Sequence, residues 1–347
     1  MLRKCHLGLE VADLQRRVLR SLRGLMPVDA AFFATADPGT LLFTGSYSEE
    51  PLLAAAPLFL DNEFGAADVN RFSSLARSVP SVASLDGVTH HRRFASPRYR
   101  EIMRPLGLGD ELRAALVTGS ECWGYLCLHR EDSQLGFTAA ETALIGRLAP
   151  HVAHGLRQAV LLSGGPGSAA EGGPGVVVLG EGLDVVAITS EAERLLSLVG
   201  SPRPPGSRLP IAVLSAAAAL RTARRGAASA PQLPSVQVPL VTGGWLNVHA
   251  SWLSQPPDQE RITVVLQPAP AVETMPLLLS AYGLTPREAQ IAKLVLRGSS
   301  TRQIVDTLHI SPYTVQDHLT AVFDKVGVRS RRDLAATLLG ITAPPPS

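Results

Sequence analysis

The chain is short of several things, and each shortage narrows what it can be. Three cysteines in 347 residues, Cys5, Cys122 and Cys127, are too few for a disulfide framework. Cys122 and Cys127 fall in "CWGYLCLH", which reads as a strand. In a regular strand their odd spacing points them to opposite faces, as buried free thiols. Long apolar runs are missing too. "LLAAAPLFL" is too short to cross a bilayer, and the opening "MLRKCHLGLEVADLQRR" has no apolar core of signal-peptide length. The expectation is a cytoplasmic protein with no membrane partner. Charge of one sign is nearly absent. The formal net charge is +2, so no global field draws in nucleic acid, and such binding must come from a local patch. Only three of the 32 basic residues are Lys; with abundant Ala, Gly and Pro this reads as a GC-rich, bacterial coding bias.

Catalytic and metal-binding sets are also missing. His90-His91 and His151/His154 have no acid or thiol at ligand spacing, so they read as solvated or core histidines, and Arg92-Arg93 as a solvated pair. The first half offers no paired nucleophile and base. We expect no enzyme, metal or cofactor.

What is present falls into three blocks. "SGGPGSAAEGGPG" (163–175) reads as a flexible linker, 268–279 as a shorter one, and 342–347 as a disordered tail. The first block, 1–162, opens with an amphipathic helix carrying Leu9, Leu14, Val18 and Leu22. Two strand pairs follow: "DAAFFATAD" with "LLFTGSYS", and "ELRAALVTG" with "CWGYLCLHR". A helix capped by Thr138 and Glu141 closes it; Ile145, Leu148, Val152, Leu156 and Ala159 form its apolar stripe, and Pro150 should kink it. This pattern resembles a GAF domain, a bacterial small-molecule sensor fold. The second block, 176–267, reads as two strands, a helix capped by Ser190 and Glu193, and a three-strand meander turning at Gly243-Gly244. It is similar to a PAS domain.

The third block, 280–341, writes four helix starts in capping chemistry: Thr285-Pro286 with Glu288, Ser300 with Gln303, Ser311-Pro312, and Ser330 with Asp333. Gly298 and Gly327 suit helix ends. In the third helix Val315, Leu319, Val322 and Val326 form the buried side, covered by Ile291, Val295, Ile304, Leu308 and Ile310. Tyr313, Gln316, Asp317, Thr320 and Asp324 lie opposite. The close spacing of helices two and three is a helix-turn-helix signal, whose second helix enters the DNA major groove. Gln can pair with adenine and Asp can accept from cytosine, which makes Gln316, Asp317 and Thr320 the base-reading candidates. From 281 to 340 eight Lys/Arg stand against five acids. Lys325, Arg329, Arg331 and Arg332 cluster between helices three and four. That cluster, with Arg302 and the helix starts at Thr301 and Tyr313-Thr314, would clamp phosphates; His318 either joins them or packs beside the core.

"LTPRE", "LRG", Ile304, "LHIS", Thr314-Val315, His318 and "KVGV" strongly resemble the C-terminal DNA-binding domain of the LuxR family of bacterial regulators. The resemblance implies a four-helix domain whose third helix reads DNA and whose fourth helps dimerise. It implies base-facing roles for Gln316, Asp317 and Thr320, and backbone contacts for Thr314 and Lys325. Val305 and Asp317 depart from the family pattern. No G-x-x-x-x-G-K-[ST] is present, which excludes the ATPase-containing members, and the first block lacks the acids and Lys of a phosphoacceptor receiver. The reading is a multidomain α+β regulator that binds double-stranded DNA as a homodimer. Leu148, Val152 and Leu156 of the long helix, and Leu334 and Leu338 of the last, would form the interface. A small molecule of unknown identity is the expected effector, and RNA polymerase a candidate partner. The alternative is a signal-binding adaptor whose last domain docks a protein.

Overall fold

The computed structural model describes residues 5–65, 67–163, 172–200, 203, 207–224, 234–253 and 261–339. Most of the 163–175 linker and the whole 342–347 tail lie outside them. Among the described residues no helix is long and apolar enough to cross a membrane.

The first domain is built on a five-stranded antiparallel sheet. Helix α1 (Val11–Arg23) precedes β1 (Ala30–Ala36) and β2 (Phe43–Ser48). Helix α2 (Ala56–Gly65) and short helical turns lead to β3 (Val82–Ser84), β4 (Leu108–Thr118) and β5 (Glu121–Glu131), and α3 (Ala139–Ser163) closes the domain. The strand order is β2-β1-β5-β4-β3. Both faces are covered, so the central strands are buried nearly end to end. On one face Leu14, Val18 and Leu22 of α1 meet Ile145, Val152 and Leu156 of α3 over Phe33, Trp123 and Leu126. The other face carries an aromatic cluster of Phe32, Phe43, Phe59, Phe72 and Tyr125.

The expected opposition of Cys122 and Cys127 does not hold: both thiols belong to the aromatic-face core. The register slips between Leu116↔Gly124 and Val117↔Cys122. One extra residue in β5 reverses the side-chain parity beyond it, which is what a β-bulge does. The expected cap at Thr138 is present, with its hydroxyl accepting from Glu141 N–H at 3.2 Å and Glu141 Oε2 accepting from Thr138 N–H at 2.8 Å. The helix runs on through Pro150 without ending there.

The second domain repeats the sheet order. β6 (Gly175–Leu179), β7 (Val185–Ile188), α4 (Ser190–Ser197), α5 (Ile211–Arg224), β8 (Ser235–Pro239), β9 (Trp245–Leu253) and β10 (Arg261–Pro268) assemble as β7-β6-β10-β9-β8, all antiparallel. The cap of α4 sits one residue earlier than expected. Thr189, extended at φ −82°, accepts from Ala192 N–H, and Ser190 is already helical. The two domains are not separate blocks. Helix α5 is alanine-rich, so it packs closely on both sides, and it joins the second sheet and the aromatic face of the first into one apolar core. Phe43 N–H donates to Ser215 Oγ at 3.0 Å, and Arg221 pairs with Asp61 across the boundary.

The segment 268–279, expected as a linker, is mostly helix: α6 spans Ala271–Ala281. Met275 and Leu279 recur at helical spacing and are buried, and burial of that stripe outweighs the internal Pro276. The carbonyl freed by Pro276 belongs to Val272, which is 70% exposed. The last domain follows: α7 (Pro286–Leu296), α8 (Thr301–Leu308), α9 (Pro312–Val326) and α10 (Arg331–Leu339).

Candidate functional site

The outward face of α9 is built from its caps and its buried stripe. Ser311 Oγ accepts from Thr314 N–H at 3.0 Å, with Pro312 at the first helical position. Gly327, at φ 78°, ends the helix in the left-handed region, where glycine escapes the Cβ penalty. Before it, His309 ends α8 at φ 53°, so the chain turns from α8 into α9 with only Ile310 between the two caps. Capping boxes form at Thr285/Glu288 and Ser300/Gln303, and Ser330 Oγ accepts from Asp333 N–H at 3.1 Å. Val315, Leu319, Val322 and Val326 are buried against Ile291, Val295 and Ile304. That fixes the rotation of α9 about its axis.

The same rotation leaves Tyr313, Gln316, Asp317 and Thr320 exposed, with Thr314 and His318 half-buried at the margins. Gln316 and Asp317 have no side-chain partner among the described residues, while Thr320 Oγ1 donates to the Gln316 carbonyl at 3.1 Å.

The cations expected to hold phosphate divide into two sets. Arg302, Arg329 and Arg332 are exposed and have no ion-pair partner among the described residues. Lys325 and Arg331 are engaged within the domain. Lys325 Nζ lies 2.6 Å from Glu288 Oε2. Burial acts against that carboxylate's charge, but Lys325 and the Thr285 N–H still hold its pKa below the usual range. Arg331 donates to the Ser299 carbonyl at 3.0 Å and to Thr301 Oγ1 at 2.9 Å. As phosphate contacts, Lys325, Arg331 and Thr301 would first have to give up these bonds.

The expected dimer residues are not available as they stand. Leu334 and Leu338 are 0% and 2% exposed and complete the core of their own domain with Met275 and Leu279. Leu148, Val152 and Leu156 are buried against the first sheet. Their periodicity marks an apolar stripe, and the protein's own sheet covers it.

A second site escaped the sequence reading. Glu111 and Arg113 alternate on β4 opposite His129 and Cys127 on β5, and all four are buried. Arg113 Nη1 donates to Glu63 Oε2 at 2.7 Å and Nε to Glu111 Oε2 at 3.2 Å, with its guanidinium 4.4 Å from the centre of the Phe72 ring. Arg98 Nε donates to the other Glu111 oxygen at 2.7 Å. Burial opposes the Glu111 charge, but the two arginines hold its pKa well below the usual range. Arg113 Nη2 and His129 Nδ1 are buried without a partner among the described residues. They stand at the wall of a cavity of about 300 Å³ that Phe32, Phe59, Ile102 and Met103 also line. The signal was in the strand: Asp110, Glu111 and Arg113 interrupt a run that is otherwise mostly apolar. One oxygen of Glu111, Cys127 Sγ and a nitrogen of His129 lie within 4.8 Å of one another. A cation placed there would compete with two buried guanidiniums for the carboxylate.

Burial pushes the pKa of His129 down to about 4, so the ring is held neutral. The unfolded chain, titrating near 6.5, binds the extra proton between those values, and stability falls as pH drops through that window. By pH 5 this single residue is expected to cost about 2 kcal/mol. Asp110, which burial raises to about 6, acts in the opposite direction over part of the range. The test is urea unfolding at pH 7 and pH 5. The wild type should lose those roughly 2 kcal/mol relative to His129→Gln, and an equal pH response in both would reject the assignment.

Comparison with known proteins follows the same division. Residues 283–338 match the family model described as bacterial regulatory proteins, luxR family, and residues 10–156 match the GAF domain. The spore germination protein GerE of Bacillus subtilis is 34% identical over 56 residues, which are 16% of this chain and 76% of GerE. The chain belongs to the LuxR family. This LuxR-family chain is also 47% identical over 51 residues, 15% of its length, to an HTH-type transcriptional regulator of Mycobacterium tuberculosis, but spans only 6% of that relative. Among solved structures, the GAF domain/HD domain protein from Geobacter sulfurreducens aligns with 44% of this chain and 96% of its own, at 19% identity and a TM-score of 0.34.

Proposed function

We propose that the protein is a sequence-specific, DNA-binding transcription regulator that acts as a dimer and takes a signal through its first two domains. The observation that supports this best is the face of α9. Gln316, Asp317 and Thr320 stand exposed on a helix whose rotation is fixed by a buried stripe, and Arg302, Arg329 and Arg332 are exposed in the same domain. Phosphate contacts position such a domain and base contacts specify the site. Helix α9 lies in the major groove with its N-terminal half towards the base edges. Two protomers place two such helices about one DNA turn apart. The cavity beside Arg113 and His129 is the first domain's place for an effector, and the PAS-like second domain adds a further wall. An effector switches the protein only by favouring one arrangement of the two protomers over another.

Selection of bound duplexes from a random pool supplies the operator, and two variants then test the roles. Gln316→Ala is expected to cost roughly 1–3 kcal/mol on the selected duplex and to relax one base position. Arg329→Ala should weaken selected and random duplex alike. Equal losses on both duplexes for both variants would reject these roles.

A further inference from the structure

A cleft of about 740 Å³ opens between the two sheets. Its walls are β1 and β2 on one side and the β8–β9 turn on the other, with α3 and Leu277 of α6 between them. Asp37 Oδ2, accepting from Gln237 N–H at 3.3 Å, is one of the few polar links across it. Two tryptophans wall the cleft, Trp123 from the first sheet and Trp245 from the second. They are 1% and 6% exposed, and neither indole Nε1 has a hydrogen-bond partner among the described residues. Buried donors are nearly always paired, and an indole N–H can only donate. The two unpaired donors belong to rings that wall one cleft but are themselves shielded from water, so a small turn of either ring would offer its N–H to an acceptor from outside the chain. Glu10 and Asp37 line the cleft, and none of the described residues lining it is Lys or Arg. The remaining wall is largely apolar, including Val160, Leu240 and Val241. The size suits a ligand of a few rings.

We propose that this cleft is a binding site for an uncharged, flat, mostly apolar small molecule bearing hydrogen-bond acceptors. It is distinct from the cavity inside the first domain and independent of the DNA reading. A bound molecule would touch both sheets and Leu277 at once. Leu277 sits on α6, whose opposite side closes the core of the last domain, so occupancy would be felt at the helix that carries the reader.

The test uses the full chain and two dyes of similar size: prodan, an uncharged naphthyl ketone, and the anionic anilinonaphthalene sulfonate. Prodan should bind saturably and quench tryptophan emission by energy transfer, while the sulfonate binds at least about tenfold more weakly because two carboxylates and no cation face it. Trp245→Phe, which removes one donor and keeps an aromatic ring, should weaken prodan about tenfold. Val241 is 68% exposed at the rim. Val241→Trp should block the mouth and abolish saturable binding without lowering the melting temperature of the dye-free protein. If Trp245→Phe does not fold, Val241→Trp and the dye comparison decide. Absence of saturable prodan binding, binding unchanged by Val241→Trp, or tighter binding of the sulfonate would overturn the proposal. Unchanged affinity in a folded Trp245→Phe would overturn the acceptor requirement.

Discussion

Raising salt from about 50 to about 200 mM is expected to weaken duplex binding roughly a thousandfold. The size follows from those expected phosphate contacts that are exposed cations without an ion pair among the described residues. Each protomer offers Arg302, Arg329 and Arg332, whereas Lys325 and Arg331 are held by Glu288, Ser299 and Thr301. A dimer then neutralises about six phosphates, and at about 0.9 per contact the plot of log K against log salt has a slope near −5. A single protomer would give a slope near −3 and a loss of only about fortyfold. A filter-binding or anisotropy titration over that range therefore counts protomers as well as contacts. A flat response would reject phosphate-driven binding and favour a protein-docking role for the last domain. A slope well beyond −5 would show that further cations join the contact, either the exposed Arg297 or Lys325 and Arg331 after leaving their internal partners.

The largest stability effect should come from Glu111→Ala. That carboxylate is 0% exposed and joins Arg98 to Arg113, themselves 1% and 0% exposed. Removing it breaks two buried pairs at once and leaves each guanidinium a single carboxylate, Asp68 for Arg98 and Glu63 for Arg113; a broken buried pair typically costs about 3–5 kcal/mol. Glu111→Gln, which keeps an acceptor, should cost less. Asp13→Ala is the contrast. Its pair with Arg16 has side chains 61% and 44% exposed and should be worth under about 1 kcal/mol. The midpoint of urea unfolding for the three variants checks the order. A loss for Glu111→Ala no larger than that for Asp13→Ala would mean that the cluster relaxes or admits water.

Much of the last domain was legible because its helix boundaries are written locally. A serine or threonine hydroxyl meets the amide three residues on, as at Thr285, Ser300, Ser311 and Ser330, and that depends on nothing distant. The same holds for the cap at Thr138. What the sequence hid was non-local. Strand pairing brought Glu111 opposite His129 and Arg113 opposite Cys127, and neither pair is visible in either strand alone. A bulge reversed the parity of Cys122, which period-two reasoning cannot foresee. The stripe of Leu148, Val152 and Leu156 showed that something would cover it, but not that the cover would be the protein's own sheet. Helix α6 was hidden by Pro276 within it and by Pro268 and Pro270 before it, which weigh as breakers until the burial of Met275 and Leu279 is known.

That helix also moves a border. Fold boundaries drawn by motif would cut at residue 280, yet Met275 and Leu279 form part of the interior shared by Ile291, Leu334 and Leu338. The smallest excisable reader therefore begins at Ala271. Leu277, on the other flank of the same rod, is seated against the first domain, so the two halves cannot be parted without stripping one side of α6 bare.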